Sequence, residues 1–100
     1  AMPLVDVRRR AEALAESVRD IHPTAIASAM DALPGAGSAP GITMPSYGLE
    51  LAGDHLAALR AHDPPVIGRS RDDLTMLDLR SVLPADDRVL TAALRAAARS

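Results

Sequence analysis

The chain has 100 residues, a length that suits one small domain, and its formal net charge is −2. With a single aromatic residue, Tyr47, and no cysteine, we expect an aliphatic core and exclude disulfides, thiolate nucleophiles and cysteine-bound metals. The charge gives no support for a standalone nucleic-acid or membrane binder. All eleven basic residues are arginine, and the absence of lysine excludes lysine-based Schiff-base chemistry within these residues.

We find no stretch typical of a signal peptide and no apolar run long enough to span a bilayer, so a cytoplasmic location is expected. The first two residues, Ala1-Met2, are typical of a residue left by a cloning vector before a start codon, and both are left out of the predicted fold. The expected organisation is one domain over residues 1–100.

The first predicted element is a helix. Apolar residues recur at spacings of three and four from Leu4 to Ile21, Asp6 is well placed to start the helix, and Pro23 stops it. The arginines at 8–10 share a short arc of this helix that is expected to be mostly solvent-facing, and the alternative is that they meet an acidic partner surface.

Two extended segments follow the helix. In residues 24–33 larger side chains such as Ile26 and Met30 alternate with alanines, which predicts a strand, although the alanines favour helix by propensity. Glycine and proline make 34–41 a loop, and 42–51 is again extended. Pro45 cannot donate to a sheet ladder, which predicts that this second strand lies at an edge or is bulged.

The second half of the chain begins with a short predicted helix at 54–62, with Asp54 as its N-cap. Prolines 64 and 65 end that helix. Segments 65–70 and 74–82 are predicted as the two strands of a hairpin, in which Gly68 marks a bulge or a close approach of another group.

The last predicted helix starts at Pro84, where the missing N–H costs nothing. Acidic residues in its first turn and arginines in its last turn suit the helix dipole. The predicted order is therefore α-β-β-α-β-β-α, an α+β layer with helices packed on an antiparallel or mixed four-stranded sheet.

Isolated motifs carry little chemistry. The three histidines, His22, His55 and His62, lack the spacing of a helical metal site, so no metal is expected. No serine lies in a G-x-S-x-G elbow. The GAGS stretch at 35–38 is a weak phosphate signal because a strand, not a helix, is predicted to follow it. No catalytic constellation is expected within the chain.

Two long stretches in register nevertheless resemble one family. GAGSAPGITMPSYGLEL (35–51) resembles the G-G-G-S-x-P-G-x-x-x-P-S segment of bacterial selenocysteine synthase, the L-seryl-tRNA(Sec) selenium transferase family. HDPPVIGRSRDDLTMLDLRSVLPADD (62–87) resembles that family's P-P-V-I-G-R strand, its hairpin ending in L-D-L-R-T-V and its acidic helix start. The resemblance covers roughly residues 24–95.

The resemblance implies the small C-terminal domain of a fold-type-I pyridoxal-phosphate enzyme. The family converts seryl-tRNA(Sec) to selenocysteinyl-tRNA(Sec) with selenophosphate, and its Schiff-base lysine lies in a large upstream domain. The implied partners are that large domain, other copies of the whole protein in a homo-oligomer, tRNA(Sec) and selenophosphate. The chain alone would hold no catalytic and no cofactor-binding residue and would be inactive.

Arg69 is the residue whose role changes with the resemblance. Fold-type-I relatives place a small-domain arginine over the substrate's α-carboxylate. A seryl-tRNA ester has no free carboxylate, so Arg69 would face the ester carbonyl, a tRNA phosphate or selenophosphate. The alternative is a sheet-edge arginine paired with Asp78 or Asp72. Ser38 and the backbone of 35–41 would line the same cleft, against the alternative of a plain connecting loop.

Some positions depart from the family pattern. Ala36 stands where a glycine is usual, Ala39 where leucine is commoner, and Asp73 where a turn glycine is common. Aspartate nevertheless tolerates left-handed geometry better than most residues. Arg80 is expected to pair with Asp78 or with a helix acid rather than with substrate.

Two rival functions follow. The departures also suit a related pyridoxal-phosphate lyase or transferase that acts on a small amino acid or an amino-sugar acid, for which Arg69 would bind a free carboxylate. The rival from another class is a freestanding, non-catalytic interaction module that kept the fold. A shared fold does not separate them.

Overall fold

The computed structural model describes residues 2–32 and 44–98. Within them lie helices and strands that follow the chain as α1 (Leu4–Val18), β1 (Ile26–Ala32), β2 (Met44–Ala52), α2 (Leu56–Ala61), β3 (Arg69–Arg71), β4 (Leu74–Asp78) and α3 (Asp87–Ala98). Two short 3-10 turns, Leu79–Ser81 and Pro84–Asp86, connect β4 to α3. The four strands form one sheet in the spatial order β1-β2-β4-β3 with antiparallel pairing throughout. The predicted α+β class and the four-stranded sheet are confirmed.

The alternation of β2 separates the two faces of the sheet. Leu49 and Leu51 are fully buried on the face that the helices cover, while Ser46, Gly48 and Glu50 point to the other face. The core consists of aliphatic side chains from the helices and the sheet: Val7, Ala11, Leu14, Ala15, Val18, Ala25, Leu49, Leu51, Leu59, Val66, Leu77, Leu79, Leu90, Ala93, Leu94 and Ala97. The helical spacing of the α1 members confirms the apolar stripe expected for the first helix.

Helix α1 begins at Leu4, so the predicted start at Asp6 is wrong. The carbonyl oxygen of Pro3 accepts from the backbone N–H groups of Asp6 at 3.0 Å and Val7 at 3.2 Å, and this closes the first turn without a side-chain cap. Asp6 instead lies in the first turn, where its charge complements the helix dipole. None of the described helices is long and apolar enough to cross a membrane.

Contrary to the prediction, the side chain of Arg10 does not face solvent. Its side chain is only 13% exposed, because the guanidinium lies against the segment that joins β4 to α3. Arg8 and Arg9 remain exposed on the outer part of the helix. The guanidinium of Arg8 lies over the ring of Tyr47, 5.4 Å from its centroid.

Strand β2 lies inside the sheet, so the predicted edge position is wrong. Its proline is tolerated because β4 pairs with β2 only from Gly48 onward, and Pro45 lies beyond that pairing with β1 as its one neighbour. On the side without a strand, the Arg80 Nε donates to the Pro45 carbonyl oxygen at 2.7 Å.

Strand β3 is shorter than predicted. The prolines at 64–65 carry no N–H, and the N–H of Val66 donates to the Leu59 carbonyl at 2.9 Å instead of to a strand. A methyl group on Gly68 would lie 2.8 Å from Leu77 Cδ2, so this glycine permits a close approach, as expected. The Asp63–Pro64 peptide bond is cis.

The β3–β4 hairpin closes on two left-handed residues. Asp72 has a φ of 52° and Asp73 a φ of 64°, the pattern of a tight two-residue turn that matches strand twist. Strand β4 ends at Asp78, before the predicted end, because the Asp78 carboxylate accepts from the Arg80 N–H at 3.0 Å and starts the 3-10 turn. Pro84 opens the next 3-10 turn, which leads directly into α3.

Candidate functional site

The face of the sheet away from the helices is the part of the described structure best placed to meet another molecule. The strand register sets Ile26, Glu50, Met76 and Arg69 side by side across it. Ile26 is 49% exposed although it is a large apolar residue. We call this surface the open face and define it by Ile26, Ser28, Met30, Glu50, Leu74, Met76, Arg69 and Arg71.

The open face is a groove rather than a flat surface. Its volume is about 630 Å³, and side chains from all four strands line it. Two arginines stand on the β3 side, and Asp31, Glu50 and Asp72 also line the groove. The groove as a whole is therefore not cationic, and the pairing of each arginine decides which of them can attract an anionic or strongly polar group.

Arg69 has no acidic partner among the described residues. Its guanidinium contacts Met30 Sδ, which lies 4.0 Å from Nη2. Asp78 is engaged by the Ser46 hydroxyl at 2.5 Å and by a backbone N–H, while Asp72 lies 3.8 Å from Arg71 Nε. The alternative of a sheet-edge ion pair is therefore not what the structure shows.

The charge of Arg69 is also not met by Asp31 or Glu50, which line the same groove and form no ion pair among the described residues. Glu50 is in line with Arg69 across Met76, yet no ion pair joins them. The segment 33–43, which lies outside the residues that the structure describes, contains no aspartate or glutamate. The guanidinium thus presents its charge to the groove.

The predictions for Ser38 and Arg80 have different outcomes. Ser38 and the 35–41 segment lie outside the described residues. The Arg80 guanidinium donates to the carbonyl oxygens of Pro45 at 2.7 Å and Met2 at 2.8 Å, so the predicted pairing with an acid is wrong for its side chain. Only the backbone N–H of Arg80 reaches Asp78.

Histidines contribute to the fold and not to a metal centre within residues 2–32 and 44–98. The rings of His22 and His55 meet edge to face with centroids 5.1 Å apart. Each Nε2 donates to a backbone carbonyl, of Leu94 at 2.8 Å and of Ala52 at 3.0 Å, since a carbonyl only accepts. These described ranges hold no group of three or more histidines and acids that could bind a metal ion.

Sequence reasoning missed Met30 and Gly48. A Cβ atom on Gly48 would collide with the Leu77 carbonyl oxygen and would lie 2.7 Å from Met30 Sδ. The alternation of 24–33 places Met30 on the same face as Ser28, but its meeting with Arg69 follows from the strand order, which the sequence does not display.

Together these features define a small α+β domain with one uncovered, arginine-bearing sheet face. A family model described as L-seryl-tRNA selenium transferase matches residues 2–83. The chain belongs to that family.

Curated relatives agree with the family. A protein named L-seryl-tRNA(Sec) selenium transferase from Moorella thermoacetica is 39% identical over 66 residues, which cover 60% of this chain and 14% of the relative. A protein of the same name from Aquifex aeolicus is 32% identical over 87 residues, which cover 80% of this chain and 19% of the relative. The chain therefore spans less than a fifth of the length of either relative.

Proposed function

We propose that the chain is the C-terminal small domain of an L-seryl-tRNA(Sec) selenium transferase, which makes selenocysteinyl-tRNA(Sec) from seryl-tRNA(Sec) and selenophosphate. In this proposal the open face is turned toward the substrate. The observation that carries it is the Arg69 guanidinium, which faces a groove without a carboxylate partner among the described residues. Family membership over residues 2–83 supports the choice of reaction.

The cofactor of such an enzyme does not fit this chain by itself. Pyridoxal phosphate is held covalently by a lysine amine, and the sequence contains no lysine. The proposal therefore assigns the cofactor to another domain of the same protein. It also assigns homo-oligomeric assembly and a cytoplasmic location to that whole protein.

Arg69 has the chemistry for the substrate side of such a cleft. A guanidinium presents a planar fork of N–H donors and stays charged throughout the accessible pH range. The aminoacyl ester offers it a carbonyl oxygen, and tRNA or selenophosphate offers it a phosphate-type oxyanion. A charge-assisted hydrogen bond of this kind contributes about 1.5–3 kcal/mol, roughly ten- to hundredfold in an equilibrium or a rate.

The test is a chimera in which this chain replaces the matching part of the Aquifex aeolicus relative, assayed for selenocysteinyl-tRNA formation. We expect the chimera to be active and Arg69→Ala to lower kcat/KM by roughly ten- to hundredfold, with partial recovery in Arg69→Lys. Arg71→Ala is the matched control, because Arg71 shares the strand and the face and is 76% exposed next to Asp72. A chimera that works equally well without the Arg69 guanidinium would contradict the proposal.

A second candidate is favoured by the same unpaired arginine. A free α-carboxylate is the ordinary bidentate partner of a guanidinium, so a related lyase or transferase acting on a small amino acid or amino-sugar acid also fits. The chimera separates the two when it is supplied with seryl-tRNA(Sec) or with free amino acids. Turnover of a free amino acid that depends on Arg69, without selenocysteinyl-tRNA formation, would select this second function.

A further inference from the structure

We propose that Met30 is a positioning residue for Arg69: its thioether holds the guanidinium over the middle of the open face while leaving the positive charge uncompensated. The inference rests on the proposed function, in which Arg69 acts on the substrate. It adds a residue from the opposite edge of the sheet to the site.

The contact requires an unusual side-chain path. Met30 belongs to β1 and Arg69 to β3, the two edges of the sheet, with β2 and β4 between them. The register also sets them diagonally, Met30 opposite Ser46 and Arg69 in line with Glu50. Because Nη2 and Sδ are nevertheless 4.0 Å apart, both side chains lie across the sheet and meet above its central strands.

Gly48 provides the space in which they meet. A methyl group at this position would be only 2.7 Å from Met30 Sδ and 2.8 Å from Met30 Cε. The thioether therefore occupies the room that a side chain on the central strand would take. Glycine at 48, methionine at 30 and arginine at 69 form one packed unit across three strands.

The chemistry of the thioether explains why methionine suits this place. Sulfur is polarizable and a weak acceptor, and it carries no charge, so it holds an N–H donor without neutralising the guanidinium. A carboxylate here would form an ion pair and withdraw Arg69 from any substrate group. A soft contact at 4.0 Å also lets the guanidinium leave Met30 when an oxyanion or an ester carbonyl arrives.

The contact is tested first in the 100-residue chain itself, by NMR of methionine methyl groups labelled with ¹³C. Met30→Leu removes one methyl signal and so assigns it. We expect Arg69→Ala to shift that signal and Arg71→Ala to leave it in place, since Arg71 lies on the same face and its side chain is engaged by Asp72. If the chemical shift of the Met30 methyl group is the same in Arg69→Ala as in the native chain, the inference is overturned, whatever the function of the protein.

The role is tested next in the chimera described above. We expect Met30→Glu to lower kcat/KM by roughly tenfold or more, chiefly through KM, and to add little further loss when combined with Arg69→Ala. Ile26→Glu is the matched control, because it puts the same charge on the same strand and face, beside Glu50 and four residues along β1 from the methionine that contacts the guanidinium. Met30→Leu keeps the shape without the sulfur and is expected to cost only a few-fold.

The outcomes separate the two proposals. Equal losses in Met30→Glu and Ile26→Glu, or full additivity of Met30→Glu with Arg69→Ala, would overturn the positioning role while leaving the proposed function intact. Wild-type rates in Arg69→Ala would remove the proposed function, and with it any role of Met30 in the reaction, even where the NMR contact is present. Unchanged thermal unfolding of the Met30→Glu domain is required for the kinetic effect to support the inference.

Discussion

The Arg10 guanidinium joins the start of the chain to the segment before α3. It donates to both carboxylate oxygens of Asp87, from Nε at 3.0 Å and from Nη2 at 2.8 Å, and to the carbonyl oxygens of Leu79 at 3.2 Å and Val82 at 2.9 Å. The side chains of Arg10 and Asp87 are only 13% and 31% exposed, so water replaces these contacts poorly. A further contact joins Nη1 to Met2 Sδ at 3.7 Å, and the planar fork of arginine is what allows one residue to reach four partners.

We expect Arg10→Ala to lower the free energy of unfolding by about 2–3 kcal/mol, because it leaves the half-buried Asp87 carboxylate and the Val82 carbonyl oxygen without their donor. The Leu79 carbonyl oxygen keeps the N–H of Val82 as its donor. Arg10→Lys should recover less than half of the loss, since an ammonium cannot reproduce the bidentate geometry. Urea unfolding followed by circular dichroism measures both variants. Arg9→Ala is the control on the same helix: Arg9 is exposed, and its loss should cost less than about 0.5 kcal/mol. Equal effects of Arg9→Ala and Arg10→Ala would contradict the anchoring role.

At the scale of elements, Arg95 of α3 is bound to the end of α1. Its Nη2 donates to the Ser17 carbonyl at 2.8 Å, one of the groups left open at the end of α1, and both terminal nitrogens reach the Asp20 carboxylate at 3.2 Å. The side-chain hydrogen bond from Arg95 holds the pKa of Asp20 below its usual value, against a smaller opposing effect of desolvation. This link is exposed to solvent and sensitive to salt.

The lowered pKa of Asp20 gives a pH dependence with a definite sign. A carboxyl group whose pKa is lower in the folded state stabilises the fold above its unfolded pKa of about 3.9, and this contribution is lost as the pH falls through the folded value. We therefore expect the native domain to be slightly more stable than Asp20→Asn at pH 7, with the difference shrinking as the pH falls below about 3.9 and through the lowered pKa of the folded state. Urea midpoints measured between these pH values test this. Asp63→Asn, which removes an exposed carboxylate outside any ion pair of the described residues, is the control for the loss of one negative charge.

Element boundaries show where sequence patterns stop being informative. The apolar stripe of α1 and the alternation of β1 depend on local periodicity, and both were predictable. The end of β4 at Asp78 depends on a side chain capping the next turn, and the place of Pro45 inside the sheet depends on how far β4 extends along β2. Both features depend on tertiary contacts, so the sequence alone predicts neither the end of β4 nor the place of β2 inside the sheet.

At the scale of the whole molecule, the candidate site was predictable in one part only. Arg69 stood out because a glycine and two prolines lead to it and because the P-P-V-I-G-R stretch resembles a family motif. Met30 did not stand out, since it lies on the opposite edge of the sheet and meets Arg69 only in the order β1-β2-β4-β3. The contact between Met30 and Arg69 leaves the arginine charge unpaired only because Asp72 and Asp78 bind other groups, and the sequence does not show those pairings.

The helices and the sheet enclose an aliphatic core, and every buried side-chain nitrogen and oxygen of the described residues has a hydrogen-bond partner. Such a core leaves no buried polar side-chain atom of the described residues for a cofactor to satisfy. We therefore expect the 100-residue chain to unfold in one cooperative step in urea, with an m value of about 1–1.5 kcal/mol/M. Far-UV circular dichroism and the fluorescence of Tyr47, which packs against the core, should report the same midpoint.

Pyridoxal phosphate should leave that midpoint and the melting temperature of the isolated chain unchanged. A ligand that binds only the folded state raises stability in proportion to the logarithm of its concentration over Kd, and this sequence has no lysine with which to bind the cofactor covalently. In the chimera with the Aquifex aeolicus relative, the same addition should raise the melting temperature, because the proposed function assigns the cofactor to the rest of the protein. A rise in the melting temperature of the isolated chain on addition of pyridoxal phosphate would contradict the assignment of the cofactor to another domain. Different urea midpoints for circular dichroism and for Tyr47 fluorescence would contradict unfolding in one cooperative step.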